Sequence, residues 1–281
     1  MPGPVVTSEW LAASLDDPML RVYDASMYLP TENVDAHEQF LQGHIPGALF
    51  FDIDAVADRT NPLPHMAPPA AEFEHLAATL SLDRQHRVVF YDQRGLFSAA
   101  RGWWLLRLFG HPHVAVLDGG LPKWRREGRP IQSGESPLPT GLATRFEAQF
   151  EAERVRGLEA VRSNIDSRAE LLLDARPRDR FYAQAPEPRP GVRGGHVPGS
   201  VSLPYKELLN ADGTLLPVPQ LRARLAEAGV HPDTRVIASC GSGATAAVIL
   251  LALAVSGYRE GALYDGSWAE WGSRSDTPVA T

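Results

Sequence analysis

Cysteine is almost missing from this chain: one thiol, Cys240, stands among 281 residues. That excludes an intramolecular disulfide and any zinc site built from several thiolates, and it fits a reducing compartment. Long apolar runs are missing too. The longest, from 244 to 255, has twelve residues and contains Thr245, against the roughly 20 needed to cross a bilayer. The opening Met1-Pro2-Gly3-Pro4 has neither the basic start nor the apolar stretch of a signal peptide. A cytoplasmic protein without membrane attachment is expected. Basic charge is in deficit, with 27 Lys and Arg against 34 Asp and Glu and a net charge of −7, which argues against a nucleic-acid partner. The nine histidines never stand at metal-ligand spacing, His111 and His113 merely flanking a proline, so no metal is expected. Gly241-x-Gly243 lacks the third glycine of a dinucleotide fingerprint. No cofactor is implied.

What the chain does contain is an internal repeat. Val22-Tyr23-Asp24-Ala25 returns as Leu172-Leu173-Asp174-Ala175, and Gly43-His44-Ile45-Pro46-Gly47 returns as Gly195-His196-Val197-Pro198-Gly199. Asp118-Gly119-Gly120, followed by Trp124, returns as Asp265-Gly266-Ser267, followed by Trp271. A period of about 150 residues is far too long for a solenoid and matches one ordinary domain. Two copies of one domain are therefore expected.

Each copy alternates apolar, β-branched runs with helical patterns, the signature of an α/β domain with a mostly parallel sheet flanked by helices. Strands are expected at Arg87–Tyr91, Leu171–Leu173 and Thr234–Ser239. Helices are expected over Ser98–Phe109, Gln220–Ala228 and Ala244–Ser256, each stopped by a glycine. The Pro-, Ser- and Gly-rich stretch Ile131–Thr140 reads as a connection. The expected division is an amino-terminal domain over 1–133, a linker over 134–156 and a carboxy-terminal domain over 157–281.

The copies differ where chemistry belongs. Aligning the strand ending at Tyr91 with the one ending at Ser239 sets Asp92 against Cys240. Cys240 is followed by Gly241-Ser242-Gly243-Ala244-Thr245 and then a helix. Ligands bind at the carboxyl ends of strands in open α/β sheets. A glycine-rich turn into a helix aims unpaired N–H groups at one point and favours negative charge there, including a thiolate. A lone cysteine is more often inert core, but this strand-end setting favours a nucleophile.

The duplicated domain, the Gly-His-x-Pro-Gly motifs and Cys240-Gly-Ser-Gly-Ala-Thr resemble the tandem-domain rhodaneses, and within them the 3-mercaptopyruvate sulfurtransferases. Asp24-Ala25-Ser26-Met27-Tyr28-Leu29-Pro30, Phe50-Phe51-Asp52-Ile53-Asp54 and Tyr264-Asp265-Gly266-Ser267-Trp268 extend the resemblance over nearly the whole chain. It implies two rhodanese-like α/β domains, catalysis in the second, and a substrate-binding loop formed by Gly241, Gly243, Ala244 and Thr245. The family loop usually has Val where Ala244 stands, a change of packing rather than chemistry. Thiosulfate-using relatives carry basic residues just after the cysteine, whereas Gly241 and Ser242 are neutral, which suits a monocarboxylate donor. The family's substrate arginines match Arg180, in Arg180-Phe181, and Arg189, in Glu187-Pro188-Arg189; Arg176 reads as structural.

The resemblance further implies a persulfide on Cys240, pyruvate as leaving group, and Ser242 as proton donor or relay. A histidine and an aspartate of the first domain, matching His44 and Asp35, would complete the relay. The motif holding His44 occurs in both copies, though, which favours a turn-forming role. The implied partners are a small-molecule sulfur donor and a thiol acceptor (thioredoxin-like or small) or cyanide. A thiosulfate:cyanide sulfurtransferase and a non-catalytic binding module are the competing expectations. A cysteine phosphatase would need an arginine after the loop, where Thr245-Ala246-Ala247 stands.

Overall fold

The computed structural model describes residues 1–138 and 146–281. The expected connection, Ile131–Thr140, and the linker expected over 134–156 thus both lie partly outside the described residues. Among the described residues, ten short strands carry the architecture. In the first half these are β1 (Val5–Val6), β2 (Leu20–Asp24), β3 (Leu49–Phe50), β4 (Arg87–Tyr91) and β5 (Val114–Leu117). In the second they are β6 (Val155–Arg156), β7 (Leu171–Asp174), β8 (Val201–Ser202), β9 (Val236–Ser239) and β10 (Ala262–Tyr264). The sheet orders are β1-β5-β4-β2-β3 and β6-β10-β9-β7-β8, and every pairing is parallel. The same topology occurs twice, as the repeat demands.

Two compact units result. The first comprises Met1–Arg59, Ala67–Glu151 and Ala211–Thr214; the second comprises Thr60–Met66, Ala152–Asn210 and Leu215–Thr281. Each unit therefore includes one short segment from the other half of the chain, a feature that a division at a single linker does not contain. The two segments follow β3 and β8 at roughly equivalent places in the repeat.

Parallel strands covered on both faces must be apolar throughout. Accordingly Val88 to Tyr91 and Val236 to Ser239 are all buried. Helix Ala246–Val255 (AAVILLALAV) has no polar face, and its residues from Ala246 to Leu253 are buried. Repeat-equivalent tryptophans close each core: the Trp124 indole donates to the Pro130 carbonyl and that of Trp271 to the Pro278 carbonyl, both at 2.7 Å. Trp103 and Trp104 lie buried in helix Ala99–Leu108, in agreement with a core role. Helix Ala246–Val255 begins two residues later than its apolar pattern predicts. Gly243 at φ +79° keeps Ala244 and Thr245 in the turn.

Two buried groups give the first unit a pH dependence. His111 is 2% exposed; its Nε2 faces the Asp83 carbonyl at 3.1 Å and its Nδ1 accepts from the His113 N–H at 3.2 Å. Burial holds its pKa down at about 4. Above the ordinary value of about 6.5 this costs nothing; as pH falls toward 4 the unfolded chain takes a proton that the folded chain refuses, and stability is lost. Burial raises Asp24 to about 6, against hydrogen bonds from Ser26 and Gln93 that lower it. The ionised carboxylate costs stability above pH 6, and protonation relieves that cost as pH falls. The two effects partly cancel, so a difference measurement isolates His111. In urea unfolding, the destabilisation caused by His111→Phe should shrink by about 2 to 3 kcal/mol between about pH 7 and about pH 4.5. A constant difference would contradict a neutral, buried imidazole.

Candidate active site

The first unit displays what the turn after the central strand is built to hold. Asp92, wholly buried, follows β4. Its Oδ2 accepts from the N–H groups of Phe97, Ser98 and Ala99 at 2.8, 2.9 and 2.9 Å, and its Oδ1 accepts from Arg94 N–H at 2.9 Å. Four backbone donors converge on one carboxylate at the start of helix Ala99–Leu108. This is an anion cradle filled by the unit's own side chain.

The second unit repeats the turn with Cys240 in the place of Asp92. Gly243, at φ +79°, matches Gly95, at φ +108°, so the chain turns into its helix with the same handedness. A cysteine has no carboxylate to fill the cradle. Cys240 is 2% exposed, which an inert core thiol would also be; what distinguishes it is the turn in which it sits. Its backbone is clamped from the segment after β10. Its N–H donates to Ser267 Oγ at 3.2 Å, its carbonyl accepts from Trp268 N–H at 3.0 Å, and the Gly241 carbonyl accepts from Ala269 N–H at 2.8 Å.

Ser267 stands at φ +50° where the first unit has Gly120 at φ +52°. A serine in the left-handed region costs about 1 kcal/mol or more, and here its hydroxyl anchors the backbone of the candidate nucleophile. Sequence reasoning missed it, although the change from Gly-Gly to Gly-Ser between the copies was the available signal.

Beside the turn lies a chain of charges. Arg176, 1% exposed, donates to Asp174 (Nη2 to Oδ2 at 2.7 Å), to the Gly195 carbonyl and, through Nη1, to Glu187 Oε1 at 2.8 Å. It also lies over the Trp268 ring at 4.4 Å. With every edge engaged, Arg176 is structural. Glu187 shares its carboxylate with Arg180, which donates to it through Nε at 3.3 Å and through Nη2. The same Nη2 lies 3.2 Å from where a side chain on Gly241 would begin. Arg180 is thus held against the turn, and any residue larger than glycine at 241 would crowd it.

Arg189 has its Nη2 3.5 Å from His65 Nε2. His65 belongs to the segment Thr60–Met66 that joins the second unit, is buried, and takes φ +62°. Nothing in its local pattern announced it.

Ser242 is buried within the turn. The first-domain residues expected to extend a relay, His44 and Asp35, are both held by local contacts of the first unit. His44 is fully buried and stacks on Phe40 at 4.0 Å. Its Nδ1 faces the Phe40 carbonyl at 2.9 Å and its Nε2 faces Ser136 Oγ at 3.0 Å. His196 in the second unit stacks on Phe181 at 3.8 Å and meets that residue's carbonyl at 3.0 Å through Nδ1. The motif therefore builds one turn twice, and both ring nitrogens of His44 are engaged in it. Asp35 caps helix Ala36–Gln42, its carboxylate accepting from Glu38 N–H at 3.0 Å.

The family model for the rhodanese-like domain matches residues 7–127 and again 158–274. The chain belongs to the rhodanese family. It is 43% identical to the 3-mercaptopyruvate sulfurtransferase of Escherichia coli (strain K12), over 98% of this chain and 96% of that one. It is 39% identical to the 3-mercaptopyruvate sulfurtransferase of Homo sapiens, over 96% and 92%. Identity is also 39% to thiosulfate/3-mercaptopyruvate sulfurtransferase 1, mitochondrial, of Arabidopsis thaliana, over 98% and 78%. The crystal structure of SseA from Escherichia coli, a 3-mercaptopyruvate sulfotransferase, superposes with a TM-score of 0.85 at 40% identity, covering 95% of this chain and 99% of that one. This tandem rhodanese is a sulfurtransferase, with the rhodanese fold in both units.

The filled cradle yields a stability prediction. Asp92→Ala strands four backbone N–H groups, three of them buried, that now bond one carboxylate. Chemical denaturation of the full chain should register a loss of about 3 kcal/mol or more. A loss below about 1 kcal/mol would mean that the turn does not need its carboxylate.

Proposed function

We propose that this rhodanese moves sulfur from 3-mercaptopyruvate through a persulfide on Cys240 to a thiol or cyanide acceptor. The observation that carries the reading is the contrast between the two turns: one filled by Asp92, the other offering the equivalent position to a cysteine.

In the first half-reaction the Cys240 thiolate attacks the donor's sulfur. The S–S bond forms, the C–S bond breaks with its electrons moving into the carbon fragment, and pyruvate departs as its enolate. A proton delivered to the enolate carbon, with Ser242 as donor or relay, completes pyruvate. The persulfide left behind is itself anionic once ionised, so the turn's N–H groups suit it as they suit a carboxylate. In the second half-reaction an acceptor nucleophile takes the outer sulfur and returns the Cys240 thiolate. The low exposure of Cys240 favours small donors and keeps water from a reactive intermediate.

Arg180 and Arg189 are assigned to the donor's carboxylate, with Gly241, Gly243, Ala244 and Thr245 forming the floor of the site. Arg180 offers only part of its guanidinium, since Glu187 occupies the Nε and Nη2 edge. His65 is assigned to orienting Arg189, on the strength of their contact. His44 and Asp35 are assigned to the fold of the first unit rather than to a proton relay. A neutral turn favours the monocarboxylate donor; thiosulfate, a dianion, is placed second. The acceptor is a small or thioredoxin-like thiol, or cyanide. A cytoplasmic, reducing setting accords with the single cysteine and with the lack, among the described residues, of any helix long and apolar enough to cross a membrane.

Two measurements test this. Intact-protein mass spectrometry after addition of 3-mercaptopyruvate should register the gain of one sulfur on the wild type and none on Cys240→Ser; an unmodified wild type would leave the binding-module reading standing. Arg189→Lys should raise KM for 3-mercaptopyruvate about tenfold, because a lysine cannot reproduce a planar guanidinium fork, while affecting thiosulfate less. Equal effects on the two donors would remove Arg189 from carboxylate recognition.

A further inference from the structure

The second unit carries a cavity of about 480 Å³ at the amino-terminal end of its sheet. Cys240 follows the carboxyl end of β9, whereas this cavity touches Leu171 and Arg235, at the other end of β7 and β9. At about 3.3 Å per residue the two ends are some 13 Å apart. Val161, Leu172, Val197 and Pro198 give it apolar walls, the last two from the Gly-His-x-Pro-Gly motif that the catalytic reading leaves unused. Arg168 and Arg235 also line it. Both are exposed, and among the described residues neither has an acidic partner. The one carboxylate in the lining, Glu170, is already neutralised by two hydrogen bonds of 2.8 Å from Arg156.

The repeat says what is unusual here. Arg87 of the first unit is the counterpart of Arg235, and it is covered: the Trp10 ring lies 5.5 Å from its guanidinium and Asp17 pairs with it. In the second unit the positions of Trp10 and Asp17 hold Ala160 and Ser167, on helix Leu158–Ser167. Where the first unit has a plugged and neutralised arginine, the second has an open space with two uncompensated cations. Arg168 moreover ends that helix at φ +47°, a position where glycine is the usual residue.

We propose that this cavity is a binding site for a small organic monoanion with an apolar body, its carboxylate or sulfonate held by Arg168 and Arg235 and its hydrocarbon against Val161, Leu172, Val197 and Pro198. Its volume lies in the small-molecule range of about 300 to 1,000 Å³, and guanidinium groups are well matched to planar oxyanions. The site is separate from the persulfide chemistry and stands whether or not that reading holds.

The test is calorimetric titration of the full chain with 2-naphthoate, and with 2-naphthylmethanol as its neutral isostere. Saturable one-to-one binding of the acid is expected, at least tenfold weaker for the alcohol and for Arg168→Gln/Arg235→Gln. Ala160→Trp/Ser167→Asp rebuilds the first unit's plug and should abolish binding; if that variant fails to fold, the arginine variant and the isostere decide. Added 3-mercaptopyruvate should not displace the probe. Absent saturation, equal affinity for acid and alcohol, or displacement by 3-mercaptopyruvate would each overturn the proposal.

Discussion

A parallel strand that turns directly into a helix leaves several backbone N–H groups pointing at one buried spot, and that spot has to hold negative charge or be rebuilt. In the first unit the demand is met permanently, by a carboxylate tethered to the same chain at Asp92. In the second the same place is held by Cys240, which brings no carboxylate. The chemistry proposed for Cys240 starts from that exchange of a fixed carboxylate for a thiol.

The surrounding charges fit the same constraint. The proposed function needs cations near enough to the turn to recruit the donor yet too firmly held to collapse onto Cys240. Glu187 provides that restraint by binding Arg176 and Arg180 at once. Burying such an ionic network gains little stability in itself, since desolvation offsets much of the attraction. Its product is geometry: Arg180 is kept beside Gly241, and the glycine is what leaves it room.

The fold was legible because the repeat and the apolar strand pattern are local and redundant. Each copy confirmed the other's strands, and Asp92 could be set against Cys240 by counting. Arg176, too, was readable as structural from its place after Asp174. The contributions of His65 and Ser267 were not legible to the same degree. His65 joins the second unit through a segment whose spatial neighbours lie more than a hundred residues away, and no periodicity encodes that. Ser267 takes a glycine's conformation, so only a comparison between copies could flag it. His44 illustrates the opposite hazard: a recurrent motif draws attention, but recurrence in a copy without a nucleophile points to a turn, and the stacked Phe40 and Phe181 supply the physical reason for that turn.

Duplication explains why the two units tolerate such different economies. The first closes its openings with its own side chains: Asp92 in the cradle, and Trp10 and Asp17 on Arg87. The second has a cysteine in place of that carboxylate at 240 and neither the Trp10 ring nor the Asp17 carboxylate beside Arg235. A strand-end turn without its carboxylate and a pair of uncompensated surface cations are what stability alone would remove. Their concentration in one copy, at both ends of the same sheet, is most simply understood as room kept for ligands, with the other copy preserving what the sequence looks like when no ligand has to be admitted.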